Sequence, residues 1–180
     1  KNEINSSIAA SQIKVSPKVL YSNNKLIVFE FIKGETLNEK NVKKNIKQII
    51  ALIKKVHNEI PNKINGQSYI FWVFHVIRHY KNFLDKNNSK YKKILNDLVN
   101  KSIKMETIGS PYEIVYGHND LLAANFIKKN KKLYLVDWEY AGYNTPLFDL
   151  GGLSSNNNFN KREEILMLEN YFDCKISNSL

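Results

Sequence analysis

Tyr116-Gly117-His118-Asn119-Asp120-Leu121-Leu122-Ala123-Ala124-Asn125 is the stretch that decides the reading, because it sets out H-x-D-x-x-x-x-N in a polar loop. Upstream, Glu113 to Tyr116 reads as a strand leading into that loop. Downstream, Phe126-Ile127, a polar turn at Asn130 and Leu133-Tyr134-Leu135-Val136 read as a hairpin. The second strand of the hairpin ends in Asp137, twelve positions beyond Asn125. Two carboxylates and an amide thus fall within one loop and one hairpin. Together they offer an oriented base and hard oxygen ligands for a divalent cation such as Mg2+. The plain alternative is a surface loop whose acids make ordinary turns and caps. The combined spacing favours the chemical reading.

Working outward, residues 3–12 suit a helix that Val15-Ser16-Pro17 ends, since the residue before proline leaves the α region. Val19-Leu20-Tyr21 and Leu26 to Phe31 read as two strands joined at Ser22-Asn23-Asn24, and Gly34 breaks the pattern. Val42, Ile46, Ile49, Ile50, Ile53 and Val56 form an apolar stripe at helical spacing, with lysines off it. Residues 69–84, apolar on nearly every side at first, predict a buried helix. Tyr91, Ile94, Leu95, Leu98 and Ile103 predict another, bounded by Gly109-Ser110-Pro111. Asn160, with Glu163 three residues on, suits the cap of a last helix through Ile165, Leu168 and Phe172. The order is an α+β pattern dominated by helix.

Composition narrows the function classes. A chain of 180 residues with 43% hydrophobic and 12% aromatic residues can bury one ordinary core. No apolar run approaches the roughly 20 residues that cross a bilayer. One cysteine, Cys174, excludes an internal disulfide framework and agrees with a reducing, cytoplasmic setting. The net charge of +10 is spread among Asn and Ile, as in Lys128-Lys129-Asn130-Lys131-Lys132. Without a nucleic-acid motif beside it, that charge reads as solvated surface, and no nucleic-acid partner is expected. His75 and His79 are four apart, but no further ligand completes a zinc set. His57 reads as a core or helix-dipole histidine.

Protein kinases carry H-R-D-x-x-x-x-N, whose Asp takes the substrate's hydroxyl proton and whose Asn holds Mg2+. The resemblance to choline and ethanolamine kinases is closer still. Gly117-His118-Asn119-Asp120 and Val136-Asp137-Trp138-Glu139-Tyr140-Ala141-Gly142-Tyr143-Asn144 resemble their H-N-D and D-[FW]-E-Y-A-x-x-N segments, and Pro146-Leu147-Phe148-Asp149-Leu150-Gly151 continues it. That resemblance implies a protein-kinase-like α+β fold, ATP as co-substrate with Mg2+, and a small amino alcohol, choline or ethanolamine, as acceptor. It implies Asp120 as base, Asn125 and Asp137 as metal ligands with Glu139 joining them, and His118 and Asp149 as braces of the loop. Tyr140 sits where choline kinases place an aromatic side chain against the choline cation. Trp72 and Trp138 are further aromatic candidates, with core packing as the better reading of both.

The resemblance extends upstream. Val28-Phe29-Glu30-Phe31-Ile32 resembles the hinge whose backbone pairs with adenine, so Glu30, Phe31 and Ile32 are expected at the nucleotide. Glu3 precedes Pro17 by fourteen residues, as the helix Glu that pairs with a phosphate-gripping lysine does in choline kinases. Residues 1–33 are accordingly expected to be an N-lobe remnant with the hinge, and 34–180 the helical C-lobe. Neither the lysine nor a glycine-rich loop can be assigned, so these residues alone are expected to show no turnover. The strands of Val19 to Phe31 are expected to leave an open apolar edge. Two other functions stay open: a kinase of the same superfamily acting on an aminoglycoside, thiamine or sugar, and a non-catalytic, truncated kinase-like binding module.

Overall fold

Helix α1 (Asn2–Gln12) buries Ser6, Ser7, Ala9 and Ala10, small residues that let it lie close to the core, and the chain then turns through Lys14 at φ +64°. The computed structural model describes residues 2–108 and 113–176. Strands β1 (Val19–Ser22) and β2 (Ile27–Phe29) form the expected antiparallel hairpin. Asn23 makes the turn by accepting the backbone N–H groups of Lys25 and Leu26 on its side-chain oxygen. Leu20, Tyr21, Leu26 and Val28 stand exposed on it.

After the two-residue strand β3 (Glu35–Thr36), the apolar stripe forms two helices where one is expected: α2 (Glu39–Lys44) and α3 (Ile46–Glu59). Asn45 makes the break. Its side-chain amide bonds back to the Asn41 carbonyl, an alternative to the helical ladder that asparagine offers readily. The stripe still works as one, for Val42, Ile46, Ile49, Ile50, Ile53 and Val56 are all buried. Helix α3 is the central post of the molecule.

The buried helix predicted over residues 69–84 is a second correction. Helix α4 runs from Val73 to Lys86 and none of its residues is fully buried. Residues 69–71 are extended instead, because their backbone pairs with Tyr143: Phe71 N–H donates to the Tyr143 carbonyl (2.9 Å) and Tyr143 N–H to the Tyr69 carbonyl (2.8 Å). Helix α5 (Lys92–Ile108) packs beside α4, and the Arg78–Glu106 ion pair (2.5 Å) joins them. The stop expected at Gly109-Ser110-Pro111 lies outside the described residues.

Strand β4 (Val115–Gly117) is wholly buried. A 3-10 turn, Ala123–Asn125, leads into β5 (Phe126–Lys129), which pairs with β6 (Lys132–Leu135) through a turn at Asn130, φ +55°. β3 adds to the outer edge of β5, and Gly34 is needed there: a Cβ would come within 2.7 Å of the Lys128 carbonyl. The pattern does not predict β7 (Gly142–Asn144), which pairs antiparallel with β4, or α6 (Pro146–Asn156), which starts on a proline.

The last helix, α7 (Lys161–Phe172), carries the expected capping box. Asn160 accepts from the Glu163 N–H, and the Glu163 carboxylate accepts from the Asn160 N–H. Asn160→Ala should therefore lower unfolding free energy by about 1 kcal/mol, read from urea midpoints. An unchanged midpoint would show the cap to be idle. Among the described residues no helix is long and apolar enough to cross a membrane.

Candidate active site

The loop carrying Asp120 is held from beneath by one buried carboxylate. Asp149, on α6 and 3% exposed, accepts the His118 N–H at Oδ2 (2.8 Å) and the Asn119 N–H at Oδ1 (2.7 Å). Oδ2 also lies 2.9 Å from Nε2 of His57, which is buried on α3. Burial alone would push the Asp149 carboxyl up. The hydrogen bonds from His57 and from the His118 N–H outweigh it and hold the group below the usual carboxylate value. An ionised Asp149 gripping two consecutive amides fixes the peptide in front of Asp120.

Three neighbours complete the turn. Asn119 adopts φ +66°, a left-handed backbone that asparagine tolerates. Its side-chain nitrogen donates to the carbonyls of Tyr140 (2.9 Å) and Gly142 (3.3 Å), and its oxygen accepts from Asn144 (3.2 Å). Gly117 has to be glycine, since a Cβ would lie 2.9 Å from Asn119 Oδ1 and 3.2 Å from Asp149 Oδ2. His118 is fully buried and donates from Nε2 to the Val136 carbonyl (3.0 Å), with Trp138 edge-on at 4.8 Å. Burial pushes its imidazole below the usual value, against the pull of Asp149, the Val136 carbonyl, Asp120 and Asp137. A neutral ring whose N–H is committed to Val136 suits a brace.

The candidate metal ligands are linked through the backbone of the hairpin. Asn125 donates from its side-chain nitrogen to the Asp120 carbonyl (2.9 Å), and its own carbonyl accepts the Val136 N–H (3.0 Å). Asp120, Asn125 and the residue preceding Asp137 are thus one hydrogen-bonded unit. The amide bond turns the Asn125 side-chain oxygen away from Asp120. Asp137, at φ +69°, is exposed and makes no ion pair or side-chain hydrogen bond among the described residues. The Asn125 amide oxygen and the Asp137 carboxylate, neither hydrogen-bonded among the described residues, are hard-oxygen donors of the kind that Mg2+ takes. No group of three or more His, Cys, Asp or Glu among the described residues is arranged for a metal, and no third such ligand is brought to His75 and His79 there.

Tyr140 is 48% exposed, and its hydroxyl pKa is raised chiefly by the neighbouring Glu139 carboxylate, with Tyr80 and Asp120 also near. Phe71 stands edge-on to it at 6.2 Å and packs on Phe148 at 5.4 Å. An aromatic wall therefore rises beside Asp120. Trp138 is 1% exposed, and Trp72 donates to Glu106 (2.7 Å) between α4 and α5, so both pack rather than line this wall.

The expected nucleotide residues are more scattered. Glu3 is exposed in the first turn of α1, whose start is tied to the site by Asn2 donating to the Ala141 carbonyl (2.7 Å). Glu30 donates its N–H to Lys18, Phe31 is 86% exposed and Ile32 is buried. No hydrogen bond among the described residues links these three to the Asp120 loop, although β3 carries the chain from Ile32 onto β5.

Sequence reasoning passed over His57, Asn119 and Asn144 as parts of the site. Asn119 and Asn144 fall inside the quoted motif segments, so a signal was present. His57 carries none, because only the fold brings α3 to Asp149.

A family model described as choline/ethanolamine kinase matches residues 1–169. The LicA homolog of Mycoplasma capricolum subsp. capricolum is 30% identical over 166 residues, which is 87% of this chain and 62% of that protein. The crystal structure of a choline/ethanolamine kinase family protein from Mesorhizobium loti superposes with a TM-score of 0.83 at 26% identity, over 98% of this chain and 60% of that one. A structure of LicA in complex with AMP gives a TM-score of 0.76 at 22% identity, over 98% of this chain and 63% of that one, and shows likeness of fold alone. The chain spans less than two thirds of the length of each of these proteins.

Proposed function

The chain belongs to the choline/ethanolamine kinase family, and from that premise we propose that it carries the catalytic loop of an ATP-dependent phosphotransferase acting on a small amino alcohol, choline or ethanolamine. One observation supports this most: Asn125 is bonded to both Asp120 and Val136, which draws the base and the metal-ligand pair into one unit. Residues 34–180 form the helical lobe in this reading, and residues 1–33 the hinge with the end of the smaller lobe. A lone free thiol at Cys174 fits a cytoplasmic reaction.

Asp120 orients the acceptor hydroxyl and takes its proton as the oxygen bonds to the γ-phosphorus of ATP. The bond to the bridging oxygen breaks, and the products are a phosphate monoester and ADP. Asn125 and Asp137, with Glu139 joining, would hold Mg2+, which when bound offsets negative charge on the phosphates. His118 and Asp149 keep the loop in register. Tyr140 and Phe71 offer ring faces to the acceptor's cationic group, at about 0.5–2 kcal/mol per contact. Glu30, Phe31 and Ile32 supply the adenine side, and Glu3 faces the phosphate side.

The test is ADP release by the protein carrying this chain, offered choline, ethanolamine, an aminoglycoside, thiamine and a sugar. Choline or ethanolamine should be turned over in preference to the rest. Turnover of another acceptor with none on these two would overturn the substrate, and no turnover of any would favour a binding module. A Mg2+ titration then tests the ligand set. Asp137→Asn should move half-activation to higher Mg2+ by about 10- to 100-fold. A superimposable titration would remove Asp137 from the ligands.

A further inference from the structure

The dipeptide Asn65-Gly66 lies between two anchored points. Upstream, Ile64 packs against the core and donates its N–H to the Ile60 carbonyl (3.0 Å). Downstream, the Tyr69 carbonyl accepts the Tyr143 N–H (2.8 Å), and Phe71 follows in the aromatic wall. Of the seven glycines in the chain, only Gly66 follows an asparagine. Both residues are exposed, and neither the Asn65 side chain nor the Gly66 N–H makes a hydrogen bond among the described residues. Gly66 sits at φ +83°, with open space where a Cβ would project. Asn2 and Asn5 of α1 line one cavity of about 740 Å³ with residues 65–69, which leaves room for the Asn65 side chain to move and for water to enter. The Asn5 side-chain nitrogen donates there to the Asn65 main-chain carbonyl (3.2 Å).

We propose that Asn65 is a site of spontaneous deamidation, and that its product loosens the stretch from Tyr69 to Phe71. The reaction needs a free main-chain nitrogen, a reachable side-chain carbonyl and water. The Gly66 nitrogen attacks the Asn65 side-chain carbonyl carbon and the bond to Nδ2 breaks. Ammonia leaves, carrying the proton that the Gly66 nitrogen loses. Water then opens the cyclic imide at either carbonyl. One product is aspartate. The other is isoaspartate, in which the main chain runs through the former side-chain carbon. Glycine as the following residue puts no side chain in the way of the attack. The asparagines that precede serine or aspartate among the described residues are held back. Asn5 and Asn96 lie inside α1 and α5, and the Ser89 N–H after Asn88 is bonded to the Leu84 carbonyl. The Asn119 side chain is fixed by three hydrogen bonds. Isoaspartate adds one atom to the main chain between the two anchors, and either product adds a negative charge. Tyr69 and Ile70 are 68% and 70% exposed, whereas Ile64 packs on the core, so the downstream anchor is the one that yields.

The test starts with the protein carrying this chain, incubated in warm, mildly alkaline buffer and then cut with trypsin. Cleavage after Lys63 and Arg78 releases residues 64–78, in which Asn65 is the only asparagine. That peptide should gain the mass of an amide-to-acid exchange and split into two chromatographic forms, one of them a substrate for protein isoaspartyl methyltransferase. Peptides carrying Asn96 and Asn119 should lag behind it, and Asn65→Gln should abolish the gain. An unmodified peptide overturns the proposal. So does a gain that persists in Asn65→Gln, which would place it on Gln67, or one equally fast at Asn96 and Asn119. The second measurement is amide hydrogen exchange on aged against fresh protein. The Phe71 and Tyr143 amides should exchange about 3- to 10-fold faster after modification, as for the loss of roughly one hydrogen bond, while α3 core amides keep their protection. Unchanged exchange at both overturns the loosening, and the same acceleration in aged Asn65→Gln would assign it to damage elsewhere. Neither readout requires turnover. The kinetic consequence rests on the proposed function: KM for choline or ethanolamine should rise by a few-fold in aged protein with kcat held. A steady KM beside faster exchange would remove Phe71 from the acceptor wall and leave the modification standing.

Discussion

Asp120→Asn should reduce kcat by about 10²- to 10⁴-fold, the usual contribution of a positioned general base, with the thermal midpoint nearly unchanged. The substitution preserves volume and removes only the ability to accept a proton. Asp120 is partly exposed, and the structural bond in its residue is made by its backbone carbonyl to Asn125, which the mutation leaves intact. Folding and chemistry are therefore separable at this position. A variant with more than about a tenth of wild-type kcat would refute the assignment. A variant that loses its fold would show that the side chain holds the loop together, which the contacts do not indicate.

Asp149→Ala should instead strike stability, by about 3–5 kcal/mol at neutral pH in urea unfolding. It leaves His57 Nε2 and the His118 and Asn119 amides without their acceptor in the interior. A loss below about 1 kcal/mol would mean that water or another group replaces the carboxylate. The pH dependence carries a sign that can be checked. Asp149 is held below its ordinary value when folded, so the unfolded chain takes up the proton first as pH falls. Its contribution is present above the ordinary carboxylate range and is lost as pH falls through the folded value. The gap between wild type and Asp149→Ala should therefore narrow in acid. His118 has the same sign: its folded pKa is depressed, so its contribution is whole above about pH 6.5 and declines below it. A wild-type stability that rose on acidification through this range would contradict both.

The parts of the fold that could be read from the sequence are those that local rules specify. The Asn160–Glu163 box, the Asn23 turn and the hairpin up to Asp137 each depend on residues a few positions apart. They stand where expected. The apolar stripe of α2 and α3 was also legible, but the break at Asn45 was not, because an asparagine bonding back to Asn41 looks the same as any exposed polar position. Residues 69–72 misled for a physical reason. A run of aromatic and aliphatic residues carries no period to separate helix from strand, and its pairing with Tyr143 is set by a partner far along the chain. β7 was missed because three residues are too few to show alternation. The motif segments already contained Asp120, Asn125, Asp137 and Tyr140. The supports behind them were invisible where they came from other helices, as with His57 on α3.

The turn bearing Asp120 and the stretch bearing Phe71 are fastened in different ways, and this bears on how the protein can change. The turn bearing Asp120 is secured by particular side chains, those of Asp149, Asn119 and Asn144, and a glycine is required at 117. The stretch that delivers Phe71 is secured by main-chain bonds to Tyr143, to which the identity of the side chain is nearly indifferent. On the proposed function, substitutions at Tyr69, Ile70 or Phe71 would change the aromatic wall beside Tyr140 while leaving the hydrogen bonds of the Asp120 turn in place. One wall of the site is thus open to exchange of side chains, whereas the turn beside it depends on the ones it has.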